Sequence, residues 1–114
     1  MIRLNDVLSE WKTDCVIDKI LLDESSLTTP NLHAKYLEVL MKAKTQLRHL
    51  NQKRRDFPAT ERRDNSDFKK IEELRDETQD TIDALEEILK GINQRTYTIR
   101  SIIEWRRFTQ AADI

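Results

Sequence analysis

Residues 33–50, HAKYLEVLMKAKTQLRHL, carry the apolar pattern that decides the fold. Side chains able to pack recur there at alternating spacings of three and four residues, which is the a/d seam of a helix that packs lengthwise against another helix. The seam residues are His33, Tyr36, Leu40, Ala43, Leu47 and Leu50. This seam predicts an all-α protein whose long helices form a helical hairpin or coiled coil.

The limits of this helix follow from its flanking residues. Thr29 suits an N-cap, and Pro30 suits the first helical position because the N–H that proline lacks would have no partner there. Pro58 ends the helix near residue 57. A shorter helix is predicted upstream, and it opens at Asn5 or Asp6, both good N-caps.

A long apolar pattern continues from residue 67 to the end of the chain and predicts either one helix of about 40 residues or two helices joined near Gly91. One small subunit cannot cover such a rod on all sides, so helices of neighbouring subunits are expected against its C-terminal part. The predicted oligomer interface consists of Ile92, Ile99, Ile102, Ile103, Trp105 and Phe108.

The 114 residues fit one domain, residues 1–114. We divide it into N-terminal helices with a basic segment (1–57), a connector (58–66), and a long C-terminal helix or helix pair that serves oligomerisation (67–114). Charged residues make up 36% of the chain, with one Gly and two Pro, which is typical of long helices. Hydrophobic residues reach only 38%, which is little for a self-sufficient core and again favours an oligomer.

The sequence predicts a cytoplasmic protein. No apolar run approaches the roughly 20 residues needed to cross a bilayer. The single cysteine, Cys15, excludes an intrachain disulfide, fits a reducing compartment, and is expected to be buried as a small apolar residue.

Charge is distributed in blocks, although the net charge is only −1. Residues 41–63 carry eight basic and two acidic side chains, whereas residues 64–87 carry three basic and ten acidic ones. Lys and Arg contacts to phosphate supply most sequence-independent affinity for nucleic acid, and Tyr36, His49 or Phe57 would offer a ring for a base to stack on. The alternative is a solvated helix face whose cations pair with the acidic helix that follows. The candidate DNA-binding residues are Lys44, Arg48, Lys53, Arg54, Arg55, Arg62 and Arg63.

Catalysis finds little support in the sequence. A single Gly, Gly91, rules out a glycine-rich phosphate loop, so no nucleotide cofactor is expected. Cys15, His33 and His49 do not have the spacing of a zinc site, and no metal is expected either. The carboxylates of residues 64–87 are more typical of a solvated helix surface than of an acid–base pair. We therefore predict that the protein is not an enzyme.

Four segments resemble the UvsY recombination mediators of T4-like bacteriophages. They are residues 4–11 (LNDVLSEW), 32–37 (LHAKYL), 91–100 (GINQRTYTIR) and 103–108 (IEWRRF), and they occur in the expected order. The resemblance covers about two-thirds of the chain. None of these strings is a catalytic signature, so the resemblance depends on their order and on the helical plan.

The resemblance implies a protein that binds single-stranded DNA, remodels the phage single-strand-binding protein, and loads a RecA-like recombinase, in the host cytoplasm. It also implies a ring-like homo-oligomer, of the hexamer or heptamer class, assembled through the C-terminal region. The family's DNA-binding motif would fall on residues 52–57 (QKRRDF), and thus on Lys53, Arg54 and Arg55. The middle of this chain is shorter than the family's and lacks its glycine-containing loop. A non-catalytic coiled-coil scaffold or adaptor without DNA binding is the alternative function.

Overall fold

The computed structural model describes residues 1–16 and 22–112, and the side chains of 1–16 and 29–110. The described chain forms three α-helices, α1 (Leu4–Asp14), α2 (Leu22–Asp56) and α3 (Ser66–Ala112), with a short 3₁₀ turn at Ala59–Glu61 between α2 and α3. The molecule is a rod of 79 × 18 × 16 Å. Within the described residues, no helix combines the length and the apolar character needed to span a membrane.

The predicted seam forms the α2 side of the core. Tyr36, Leu40 and Ala43 are buried, together with Leu50, while His33 and Leu47 are half-buried. They pack lengthwise against α3, whose buried residues in this core are Ile82, Leu85, Ile88 and Ile92. The heptad spacing therefore predicts correctly which side of α2 is buried.

The start of α2 differs from the prediction. The helix begins at Leu22, so Thr29 is not its N-cap and Pro30 lies inside it. A proline inside a helix removes one backbone hydrogen bond and costs about 3 kcal/mol. A tertiary contact fixes this turn of α2 nevertheless, because the hydroxyl of Thr29 accepts a hydrogen bond of 3.1 Å from Nε of Arg95 on α3.

α3 runs without a break through Gly91. A Cβ atom on Gly91 would lie 3.5 Å from the indole ring of Trp11, which is ordinary van der Waals contact. Trp11 also meets Tyr36 edge-on, with their ring centroids 5.5 Å apart. These contacts hold α1 against the α2–α3 hairpin, where Val7 is the buried residue of α1.

Cys15 is exposed, so its predicted burial is wrong. It follows the last residue of α1, where its backbone N–H donates to the carbonyl of Trp11 and closes the helix. This terminal position places the thiol outside the core that Val7 and Trp11 enter.

Arg95 joins the three helices. Its side chain is buried, and Nη1 donates hydrogen bonds of 3.3 Å to the backbone carbonyls of Asp14 and Val16 at the C-terminal end of α1. The Nε atom of Arg95 donates to Thr29 of α2. The guanidinium of Arg95 on α3 therefore forms hydrogen bonds both with α2 and with the C-terminal end of α1.

The carboxylate of Asp14 fastens α1 to α2. Its Oδ2 accepts hydrogen bonds of 2.7 Å from both Nζ of Lys35 and the hydroxyl of Tyr36. The bond from Lys35 lowers the pKa of Asp14, an effect that burial partly opposes. The same contact raises the pKa of Lys35, whereas burial is the main cause of the raised pKa of Tyr36.

Asp14→Asn is expected to be less stable than the parental protein at neutral pH, by about 1 kcal/mol. A carboxyl whose folded pKa lies below the unfolded value of 3.8 contributes stability above that pH and loses it as the pH falls through the folded pKa. The difference in unfolding free energy should therefore shrink as the pH falls through the lowered pKa of Asp14, as measured by urea unfolding across an acidic pH series. Asp76→Asn, at an exposed position of α3, is the matched control.

Candidate nucleic-acid interface

The antiparallel packing of α2 and α3 neutralises part of the basic block. Nζ of Lys44 lies 3.9 Å from a carboxylate oxygen of Glu86, and Nε of Arg54 lies 3.6 Å from one of Glu72. Both acids belong to the acidic half of α3. The structure therefore contains some of the intrachain pairing that the sequence left open as an alternative to DNA binding.

Arg62 is built into the hairpin turn. Its guanidinium donates to the carbonyl of Phe57 at 3.1 and 3.2 Å, and to the carbonyl of Arg54 at 3.0 Å. The Cζ atom of Arg62 also lies 5.3 Å from the centroid of the Phe68 ring, and the Cζ atom of Arg54 lies 5.6 Å from the same centroid. Nε of Arg54 is buried without a hydrogen bond, since Glu72 is too distant for one. Arg62 thus caps the end of α2, and the guanidinium groups of Arg54 and Arg62 cover Phe68.

Arg62→Ala is expected to destabilise the protein by about 1–3 kcal/mol, because it removes the side-chain donor to the carbonyls of Arg54 and Phe57 and uncovers Phe68. Its neighbour Arg63 is exposed and makes no such contact, so Arg63→Ala should change stability by less than about 0.5 kcal/mol. The melting temperatures of the two variants, measured by thermal unfolding, are compared. Equal melting temperatures would show that Arg62 does not hold the turn.

Four of the predicted cations remain exposed without an acidic partner among the described residues. Arg48 and Arg55 donate only to the neutral side chains of Thr45 and Gln52. Lys53 and Arg63 have no carboxylate partner within the described part of the chain. We call this set of cations the basic face, and it consists of Arg48, Lys53, Arg55 and Arg63. On α2, Arg48 and Arg55 share one side of the helix, and Lys53 lies on the other side. The α2 part of the basic face spans about 10 Å of helix.

Two further cations lie next to the hairpin turn. Lys69 and Lys70 are exposed in the first turns of α3, directly after Phe68, on which Arg54 and Arg62 lie. Sequence reasoning missed them because they belong to the acidic block in the linear charge count. Exposed carboxylates are interspersed in the same region and reduce its potential; they are Asp56, Glu61, Asp64 and Asp67.

Of the three rings predicted as stacking platforms, only His49 is exposed. Tyr36 is 1% exposed and donates its hydroxyl to Asp14, so its predicted role in stacking is wrong. Phe57 is half-buried and packs on Phe68, with the ring centroids 5.4 Å apart. The heptad position of Tyr36 accounts for its burial, since a seam residue faces the partner helix.

The predicted interface residues of α3 fall into two groups. Ile92 and Ile99 are buried within the subunit itself. Ile102 and Ile103 are half-buried, while Trp105 and Phe108 are both 65% exposed. We call residues 97–110 the C-terminal arm.

The exposed aromatics of the arm form a continuous apolar surface. The rings of Trp105 and Phe108 stack with centroids 5.8 Å apart and an interplanar angle of 28°. A shallow cavity of about 440 Å³ lies between Trp105 and Tyr97, which is 68% exposed. Large exposed aromatics side by side are typical of a surface that another molecule covers.

Potential metal ligands are dispersed. The described residues contain no group of three or more His, Cys, Asp or Glu side chains able to hold a metal ion. His33 lies beside Thr29, Pro30 and Ile92 at a cavity of about 460 Å³, whereas His49 is exposed on α2.

Fold and site together define an elongated helical hairpin that presents exposed cations on α2 and exposed aromatics on α3. Comparison with protein families gives a match in two segments, residues 10–71 and 63–112, to the family described as recombination, repair and ssDNA binding protein UvsY. The chain belongs to this family. No curated protein and no solved structure matches the chain.

Proposed function

We propose that the protein is a recombination mediator, which binds single-stranded DNA and promotes loading of a RecA-like recombinase onto strands coated by a single-strand-binding protein. The observation that carries the proposal is the family match, whose two segments together extend from residue 10 to residue 112. The exposed cations of the basic face support it, because backbone phosphate is the ligand that such cations bind without sequence preference.

DNA contact is assigned to the basic face, Arg48, Lys53, Arg55 and Arg63. Lys44 and Arg54 take second place, since each has an intrachain carboxylate nearby. Arg62 contributes positive charge to the surface, but its hydrogen bonds are used in the turn. Single contacts of this kind are weak, and a homo-oligomer multiplies them along one strand.

Self-association is assigned to the C-terminal arm, through Ile102, Ile103, Trp105 and Phe108. Burying exposed aromatic side chains is the largest apolar gain that the described surface offers. The mechanism requires no bond chemistry. Many weak DNA contacts hold the strand and the recombinase together and favour the filament over the coated strand by mass action.

The proposal is tested with single-stranded DNA coated by a single-strand-binding protein and a RecA-like recombinase, both from a T4-like phage. The DNA-dependent ATPase rate of the recombinase is measured with and without this protein. A shortened lag or a higher rate on coated DNA, with no effect in the absence of DNA, is expected. An unchanged rate together with no binding to a labelled oligonucleotide would remove the proposal.

A coiled-coil scaffold is the second candidate function. The ion pairs of Lys44 with Glu86 and of Arg54 with Glu72 favour it, because they show that α3 uses some of the basic block for the fold. A scaffold would form the same oligomer but would not bind an oligonucleotide even at low salt.

A further inference from the structure

A cavity of about 460 Å³ lies between α2 and α3, near the end of the hairpin that is far from its turn. Pro30, Ile92 and Ile99 supply its apolar surface. Ile92 and Ile99 are buried, so this floor belongs to the packed part of the hairpin. A volume of about 300–1,000 Å³ with an apolar floor and a few polar groups is typical of sites that hold a small organic group.

Three polar side chains line the cavity without being used by the fold. They are His33 on α2, and Asn93 and Thr96 on α3. None of the three has a hydrogen-bond partner among the residues that the structure describes. Thr29, which also lines the cavity, differs from them because it accepts a hydrogen bond from Arg95. A neutral imidazole, an amide and a hydroxyl each donate and accept hydrogen bonds, so together they suit the polar edge of a planar heterocycle.

The cavity lies on the side of the hairpin that α1 leaves uncovered. On α3, Gly91 faces Trp11 of α1, and Arg95 bonds to the C-terminal end of α1. Asn93 is two residues away from each of them and therefore lies about 200° around the helix. Its amide thus points away from α1 and into open surface.

Two cations of the basic face lie on the same side as the cavity. Lys35 marks the side of α2 that faces α1, because its ammonium donates to Asp14. At about 100° per residue, His33, Arg48 and Arg55 all lie about 160–220° around α2 from Lys35. Arg48 is about 22 Å from His33 along the helix axis, so one extended strand can contact both.

An exposed aromatic ring stands beside the cavity. Tyr97 is 68% exposed, follows Thr96 directly, and lies one helical turn after Asn93 on the same side of α3. Aromatic rings on which bases stack, together with cations along the backbone, are the usual elements of a surface that binds single strands. Tyr97 therefore offers the stacking surface that the buried Tyr36 cannot provide.

We propose that this cavity is a base-binding site, which takes one nucleobase of a single strand whose phosphates are held by Arg48 and Arg55. The inference rests on the DNA binding proposed above. The face of the base lies on Ile92 and Ile99, its edge bonds to the three polar side chains, and Tyr97 stacks on an adjacent base. Because each polar group both donates and accepts, the site suits different bases, in keeping with binding that has no sequence preference.

The base site also gives the protein a means to distinguish single strands from duplex. Phosphates are present in both forms of DNA, so the cations alone separate them poorly. A base inside a duplex is stacked and paired, and its removal from the stack costs a few kcal/mol. Only an unpaired base enters the cavity without that cost.

Loss of the polar groups on α3 tests the site. Asn93→Ala/Thr96→Ala is expected to lower the affinity for a labelled single-stranded oligonucleotide about tenfold, because hydrogen bonds to the base are lost. The slope of log affinity against log salt should stay unchanged, since no phosphate contact is removed. Gln94→Ala/Thr98→Ala removes an amide and a hydroxyl from exposed positions outside the cavity and should bind like the parental protein.

Two changes at Tyr97 test the stacking. Tyr97→Ala is expected to lower the affinity about tenfold, whereas Tyr97→Phe keeps the ring and should keep the affinity. Circular dichroism and mass determination on the same samples show whether fold and assembly are unchanged.

An abasic oligonucleotide of the same length provides the decisive measurement, because it keeps every phosphate and lacks every base. The parental protein should bind it at least about tenfold more weakly than the complete strand. Asn93→Ala/Thr96→Ala should bind the abasic strand with the parental affinity, since the two side chains contact only the base. An equal loss on both strands would overturn the base site.

The remaining outcomes separate this site from the proposed function. A parental protein that binds complete and abasic strands equally well would overturn the base site and leave phosphate binding intact. No binding to either strand would overturn both proposals. Equal binding of the two strands, with His33 ring resonances that shift on addition of deoxyadenosine monophosphate, would assign the cavity to a free nucleotide instead.

Discussion

Replacing Arg48, Lys53 and Arg55 together by alanine is expected to lower the affinity for single-stranded DNA about 100-fold at low salt, if each phosphate contact contributes about 1 kcal/mol. These side chains are exposed, and none has a carboxylate partner among the described residues. Each lost contact should also flatten the plot of log affinity against log salt by about 0.7, so the slope should fall by about 2 per bound copy. Fluorescence anisotropy of a labelled oligonucleotide across a salt series measures both quantities.

The matched control removes the same charge elsewhere. Lys12→Ala/Lys90→Ala/Arg100→Ala changes three exposed cations that lie outside the basic face. The control should lose less than about fivefold in affinity and keep most of the salt slope, since only the general field of the protein changes. If the two triple variants lose affinity equally, DNA does not bind at the basic face. Mass determination on the same samples separates lost DNA contacts from lost assembly.

Trp105→Ala/Phe108→Ala is expected to dissociate the proposed oligomer, with an association constant more than about 100-fold below the parental value. Burial of one large apolar side chain contributes about 1.5–3 kcal/mol, and both rings are 65% exposed in the single subunit. Because neither ring belongs to the subunit's core, the variant should keep its helix content and its melting temperature at low concentration. Sedimentation velocity over a concentration series measures the change.

A second pair of exposed apolar residues serves as the control for this variant. Leu8 and Leu37 are 41% and 39% exposed, on α1 and α2, and Leu8→Ala/Leu37→Ala removes apolar surface away from the arm. The control should associate like the parental protein. A parental protein that is monomeric at micromolar concentration would contradict the assembly proposal altogether.

Sequence periodicity predicts those parts of the fold that depend on which side of a helix is apolar. Tyr36, Leu40 and Ala43 are buried as their heptad positions require. The same spacing predicts the all-helical class, because side chains on a strand alternate every two residues and a 3.5-residue repeat would not keep them on one side.

Contacts between residues distant in sequence explain the parts that could not be predicted. By local rules Pro30 predicts the start of a helix, yet α2 continues through it. The neighbouring Thr29 accepts a hydrogen bond from Arg95, which is 66 residues away from Thr29 in the sequence. The spacing places Arg95 on the apolar side of α3, three residues after Ile92 and four before Ile99, but its partners could not be predicted, since those on the α1 side are backbone carbonyls.

In the candidate site, too, one part could be predicted from the sequence and another part depends on contacts between distant residues. The basic block is visible in the sequence, but which of its cations are available depends on the register between α2 and α3. Lys44 and Arg54 lie beside carboxylates, whereas Arg48 and Lys53 face outward. One charge count cannot separate these two groups.

The turn between α2 and α3 has a consequence for how this hairpin tolerates changes in length. Its ends are fixed. Arg62 donates to the carbonyls of Arg54 in α2 and of Phe57 just after it, and the side chain of Asn65 accepts hydrogen bonds from the backbone N–H groups of Asp67 and Phe68 at the start of α3. The 3₁₀ turn at Ala59–Glu61 lies between these anchors and has no buried residue. The chain entropy of closing a loop rises only with the logarithm of its length, by about 0.6 kcal/mol for each doubling. Extra residues at this end of the rod would therefore cost little folding free energy and would enlarge the surface beside Arg63, while the helices behind it keep their register.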